Sequence, residues 1–78
     1  MPPRIIVYTQ PFCQPCRHVK ELLERLGVEF ETRDISRDPD AQAEFERMGF
    51  RATPVTVIEG EAIVGYAPVH IEELLKGK

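Results

Sequence analysis

Ile5-Ile6-Val7-Tyr8-Thr9-Gln10-Pro11-Phe12-Cys13-Gln14-Pro15-Cys16 joins an apolar run, a short loop and two thiols three positions apart. The continuous apolar residues from Ile5 to Tyr8 predict a strand covered on both faces, hence the middle of a sheet with helices packed against it. Past the thiols, Val19, Leu22, Leu23 and Leu26 recur at helical spacing. Arg17/Glu21, Lys20/Glu24 and Glu21/Arg25 are oppositely charged pairs four apart on the same segment. Gly27 stands where a left-handed helix terminator belongs, so the helix is predicted from Cys13 or Gln14 to Leu26. Two cysteines at this spacing between a strand and a helix are a thiol-redox signal.

Working outward, Val28, Phe30 and Thr32 alternate with Glu29, Glu31 and Arg33, which predicts a second strand with one wet face, nearer a sheet edge. Strand, helix and strand make a right-handed parallel unit. The first helix then begins at the carboxyl end of the first strand, where α/β sheets bind their ligands. Asp38-Pro39 pairs a cap residue with proline at a first helical position, and Ala41, Phe45 and Met48 give that helix an apolar stripe ending at Gly49. Val55–Ile58 and Ala62–Val64 flank Glu59-Gly60-Glu61 and predict a hairpin. Pro68 opens a last short helix with Ile71, Leu74 and Leu75 facing inward. The order is βαβαββα, an α/β (α+β) chain.

With 78 residues, 42% of them apolar, the chain is expected to form one domain over residues 1–78 around a small core. No apolar run approaches the roughly 20 residues of a membrane span, and Met1-Pro2-Pro3-Arg4 has no signal-peptide apolar region behind it. A cytoplasmic protein with no membrane partner is expected. In that compartment a cysteine pair is rarely a structural staple, because the thiol pool reduces it. The net charge of −3 comes with interleaved signs and no basic stripe, so nucleic acid is not an expected partner. The segments 1–3 and 77–78 are left without assignment.

Unpaired N–H groups and the positive end of the dipole at a helix start favour an anion. Cys13, at that position, is the expected nucleophile, with a thiol acidity in the range such motifs reach, roughly 3.5 to 7.5 against about 8.5 for a free cysteine. Cys16, one turn in, is expected to be more buried and to resolve a mixed disulfide on Cys13. Pro15 needs no hydrogen bond in a first turn and restrains the ring that closes when the disulfide forms. Arg17 and His18 read as solvated residues of that turn. Phe12 is read as an exposed contact for a partner protein or as a staple folded back on the helix, and Tyr8 as core beneath the site.

Two readings compete with redox chemistry. The thiols would serve a zinc or iron–sulfur module only if His18 and His70 converged on them or two chains shared an ion, since a closed zinc site takes four ligands. In a structural adaptor they would be incidental. Thr53-Pro54-Val55 opens the third strand, where proline removes a ladder hydrogen bond. A cis bond resolves this, although the general frequency of cis bonds before proline, about 5–6%, favours a trans edge-strand entry.

With Tyr8-Thr9 leading into Cys13-x-x-Cys16, Thr53-Pro54 opening a strand and Gly65 ending the next, the sequence resembles the glutaredoxin and redoxin branch of the thioredoxin superfamily over nearly its whole length. The resemblance implies a thioredoxin-like fold with a four-stranded mixed sheet and three helices, acting as a thiol–disulfide oxidoreductase on protein disulfides; a monomer is expected. It implies a cis Pro54 facing Cys13, the Thr53 backbone as a strand-like dock for substrate, and a glycine at 65 that lets backbone approach. No bound cofactor is implied beyond the redox-active disulfide Cys13–Cys16. The chain departs from glutaredoxins in three places. Gln14-Pro15 replaces the usual Pro-Tyr, Gln10 stands where a glutathione-binding lysine often sits, and Tyr66-Ala67-Pro68 replaces the second glycine and acidic pair that grip glutathione. In that respect it is similar to the NrdH-type redoxins, which take electrons from thioredoxin reductase and pass them to ribonucleotide reductase. Phe50-Arg51 after Gly49 and Tyr66 after Gly65 fit that branch, Tyr66 being read as core or rim packing that also lines the partner groove. The expected reductant is thioredoxin reductase or glutathione, the departures favouring the first.

Overall fold

Ile5, Val7 and Tyr8 are buried and Ile6 is partly so, the double-sided burial that a continuous apolar strand demands. The computed structural model describes residues 4–76, so the unassigned termini lie outside the described residues. In chain order the elements are β1 (Ile5–Thr9), α1 (Gln14–Arg25), β2 (Glu31–Asp34), α2 (Pro39–Arg47), β3 (Val55–Ile58), β4 (Glu61–Val64) and α3 (Pro68–Lys76). The four strands form one sheet ordered β2-β1-β3-β4, with β1 and β2 parallel and the other two pairs antiparallel. This is the mixed sheet with three helices of the thioredoxin-like fold.

The pleat of β1 divides the core in two. Ile5 and Val7 face α1 and α3, joining Val19, Leu22, Leu23, Ile58, Ile63 and Ile71. Tyr8 faces α2, joining Ala41, Phe45 and Val55. Each fully buried aliphatic side chain here is worth about 1.5–3 kcal/mol of transfer free energy, so α1, with Val19 and Leu23 wholly inside, is anchored by burial rather than by propensity. Asp38 caps α2 as expected, its side chain accepting from the N–H groups of Asp40 and Ala41 at 3.0 and 3.2 Å. The hairpin closes through Glu59 and Gly60, with φ of 50° and 84°. Two successive left-handed residues make the two-residue turn that matches strand twist. Glu61, expected in the turn, is already in β4.

The second strand departs from its alternation. β2 starts only at Glu31, and Val28 and Phe30 lie before it, partly buried against the α1 and α3 side of the core. Within β2, Thr32, expected inside, is exposed, and Arg33, expected wet, is half-buried. The reason lies on α2: Arg33 is drawn to the Glu44 carboxylate, which also accepts from the Tyr8 hydroxyl at 3.0 Å. Leu26 and Met48, expected on the apolar stripes, are about 40% exposed (40% and 41%), because each falls at its helix C-cap, where the chain turns off the sheet.

The Tyr8–Glu44–Arg33 cluster ties β1 and β2 to α2 and has a pH signature. Bonds from Tyr8 and then Arg33 hold the Glu44 carboxyl below the usual carboxylate range. Burial, followed by the bond to Glu44, pushes the Tyr8 phenol up. Because folding favours ionised Glu44, its contribution to stability is full above the unfolded value of about 4.3 and is lost as pH falls through the lower folded value. Glu44→Gln is therefore expected to be less stable than the parent chain near pH 7, with the difference closing below about pH 4 in denaturant titrations. A difference that persists unchanged at low pH would mean that the charge is not what Glu44 contributes.

Candidate functional site

The loop after β1 delivers Cys13 to the N-cap of α1, with extended backbone at φ −112° and ψ 102°. Its Sγ accepts from the Cys16 N–H at 3.2 Å, which takes up one of the unpaired donors of the first turn. Gln14 and Pro15 occupy the first helical positions, where proline's missing donor costs nothing, and Pro15 is exposed. Cys13 and Cys16 form a disulfide with Cα atoms 5.2 Å apart. Their accessibility differs as expected: Cys13 is half-buried and Cys16 is 1% exposed. Of the two, Cys13 is the one open to solvent.

The start of β3 faces this pair. The Thr53–Pro54 bond is cis, as the resemblance implies, and the Thr53 hydroxyl donates to Cys13 Sγ at 3.5 Å. Two donors thus point at one sulfur, the Cys16 N–H and the Thr53 O–H. Pro54 is buried, and its carbonyl accepts from the Gly65 N–H at 2.8 Å, which draws the end of β4 against the proline. Gly65 takes φ 79°, a conformation that side-chain-bearing residues rarely adopt, and turns the chain toward Tyr66. The Tyr66 ring packs against His18 of α1 with centroids 5.4 Å apart and is 41% exposed. Phe12 is fully exposed at φ 61°, so it does not staple back on the helix.

The structure therefore brings Cys13, Cys16, Thr53, Pro54 and Gly65 together, with Phe12, Pro15 and Tyr66 around the rim. Two features were missed from sequence. The sequence points to the Thr53 backbone, whereas its hydroxyl reaches the sulfur across 40 residues of chain. His18, read as a solvated residue, is half of an aromatic pair. Neither has a local signal, since each depends on which strand lies beside which. Phe50, by contrast, packs on Phe45 in the α2-side core, with centroids 6.1 Å apart. Among the described residues no three His, Cys, Asp or Glu side chains gather to hold a metal ion. His70 lies near Glu61 at 3.8 Å, while the His18 ring packs tilted against Tyr66, so the two histidines do not converge. None of the described helices is long and apolar enough to cross a membrane.

A disulfide closed across the first turn of α1, beside a cis proline on a four-stranded mixed sheet, defines a thiol–disulfide oxidoreductase of thioredoxin-like fold. Residues 5–63 match the Glutaredoxin family model, and the chain belongs to the glutaredoxin family, among its redoxins of the NrdH type. It is 38% identical to the SPbeta prophage-derived thioredoxin-like protein YosR of Bacillus subtilis, over 94% of this chain and 95% of that protein. It is 32% identical to the glutaredoxin-like protein NrdH of Escherichia coli, over 91% of this chain and 88% of that protein. Among solved structures, the thioredoxin-like protein BC3987 superposes with a TM-score of 0.87 at 37% identity, covering 92% of this chain and 100% of that one. The NrdH-redoxin of Escherichia coli superposes with a TM-score of 0.82 at 32% identity, covering 88% and 91%.

Proposed function

We propose that this chain is a dithiol electron carrier that reduces protein disulfides in the cytoplasm, acting as a monomer and recharged by thioredoxin reductase in preference to glutathione. In the reduced protein the Cys13 thiolate attacks one sulfur of the substrate disulfide. That bond breaks, a mixed disulfide forms on Cys13, and the departing substrate sulfur takes a proton. The Cys16 thiolate then attacks Cys13 Sγ, expels the second substrate thiol and leaves the Cys13–Cys16 disulfide. Two electrons have passed to the substrate, and the reductase returns them. The observation that carries this reading is the unequal exposure of the two sulfurs, the half-buried one facing Thr53 and the other 1% exposed beneath it.

The preference for thioredoxin reductase rests on Gln10 and Tyr66-Ala67-Pro68, which lack the groups that grip glutathione in the family, and on the likeness to NrdH. Ribonucleotide reductase is the acceptor that this likeness suggests. A coupled assay following NADPH oxidation with a small disulfide as final acceptor tests the assignment. Thioredoxin reductase is expected to sustain turnover, and glutathione with glutathione reductase is expected to sustain little. Equal or faster turnover with glutathione would overturn the choice of reductant.

A further inference from the structure

The chain has thirteen Asp and Glu, yet none lies in the three segments that meet at Cys13, residues 10–18, 50–54 and 64–69. Those segments carry Arg17 and Arg51, both exposed, and the His18 ring. The Arg17 backbone lies one turn into α1 from the thiols, its N–H donating to the Cys13 carbonyl at 3.3 Å. Arg51 stands two residues before Thr53, so its Cα is within about 7 Å of the Cα of the residue that touches Cys13 Sγ. Among the described residues, no ion pair within 4.0 Å involves either arginine. Glu46 lines the same open cavity as Arg51 and makes no ion pair with it within 4.0 Å. In a protein of net charge −3 the three segments at Cys13 thus carry two arginines and no carboxylate of their own, with the Phe12 ring fully exposed beside the thiols. Holding a phenylalanine at φ 61° in solvent costs backbone energy and gains no packing within the chain.

We propose that the thiol face selects disulfides flanked by acidic residues, with Arg17 and Arg51 as the specificity-determining cations and Phe12 as the contact for an apolar side chain next to the target half-cystine. The proposal rests on the dithiol reading above and deepens it by naming the chemistry of the partner segment. Opposite charge raises the encounter rate of the two thiol partners and is screened by salt. The exchange remains as balanced above, a protein dithiol and a peptide disulfide giving a protein disulfide and two peptide thiols.

The test is single-turnover quenched flow. Pre-reduced protein is mixed with disulfide-linked homodimeric peptides whose cysteine is flanked by Glu or by Lys, each made with Phe or Ala beside the cysteine. Neutral bis(2-hydroxyethyl) disulfide is run in parallel, and each peptide rate is divided by the same variant's rate on it, which cancels changes in thiol reactivity. At low ionic strength the Glu peptides are expected to react at least about tenfold faster than the Lys peptides, with the gap shrinking in 0.5 M salt. The Arg17→Glu, Arg51→Glu double variant is expected to reverse the order. Phe12→Ala is expected to erase a preference of about 2- to 10-fold for Phe over Ala peptides. Equal Glu and Lys rates, or a gap indifferent to salt, would overturn the charge selection while leaving the reductase reading intact. Likewise, an unchanged Phe preference in Phe12→Ala would overturn the role of Phe12. Failure to reduce even the neutral disulfide would instead sink the reductase reading itself.

Discussion

Cys13→Ser is expected to reduce disulfides no faster than the uncatalysed background, while Cys16→Ser is expected to complete one exchange and stop as a mixed disulfide. The asymmetry follows from position. Cys13 is the N-cap, half-buried, with two hydrogen-bond donors on its sulfur, so it alone meets substrate and is favoured as a thiolate. Cys16 is 1% exposed and can reach only a sulfur already joined to Cys13. With Cys16 gone the second step has no attacking thiol, and intact-mass spectrometry under non-reducing conditions should find substrate bound through Cys13. Substrate bound through Cys16 in the Cys13→Ser variant would falsify the assignment of nucleophile and resolver.

The second large effect is on stability. Leu23→Ala, at the centre of α1, is expected to destabilise the protein by about 2–5 kcal/mol, the usual range for emptying a fully buried leucine site. Leu23 is 0% exposed and belongs to the cluster that joins α1 to β1, β3, β4 and α3. A chain of this size holds on the order of 4–12 kcal/mol in total, so the loss is a large share of it. Thermal unfolding followed by circular dichroism should show a midpoint lower by about 10–30 °C. Since α1 carries Cys16 and is capped by Cys13, activity at 37 °C should fall with the folded fraction. A midpoint within a few degrees of the parent's would show that α1 is held by something other than this packing.

The elements were legible in sequence because their signals are local. A continuous apolar run for β1, an apolar stripe with i, i+4 pairs for α1, Asp38-Pro39 for α2 and a glycine turn for the hairpin each work through a few consecutive residues. β2 was the exception. Its alternation began three residues early because Val28 and Phe30 are apolar for a reason unrelated to pairing: they cover the core on the way into the strand. Arg33 read as solvated because its partners, Glu44 and Tyr8, come from other elements. Leu26 and Met48 show the same limit at helix ends, where periodicity continues on paper after the chain has turned away.

By itself the sequence determined the order of elements and placed two thiols at a helix start, which is enough to assign thiol chemistry, because capping, periodicity and dipole are properties of neighbouring residues. What surrounds that sulfur follows from how the strands pack. The Thr53 hydroxyl on Cys13, the Pro54 carbonyl holding Gly65, the His18 ring on Tyr66 and the burial of Cys16 all depend on β3 lying between β1 and β4 in a particular register. Strand order and register are set by the packing of the whole core, so contacts between residues 40 or more apart are fixed there and not by any local pattern.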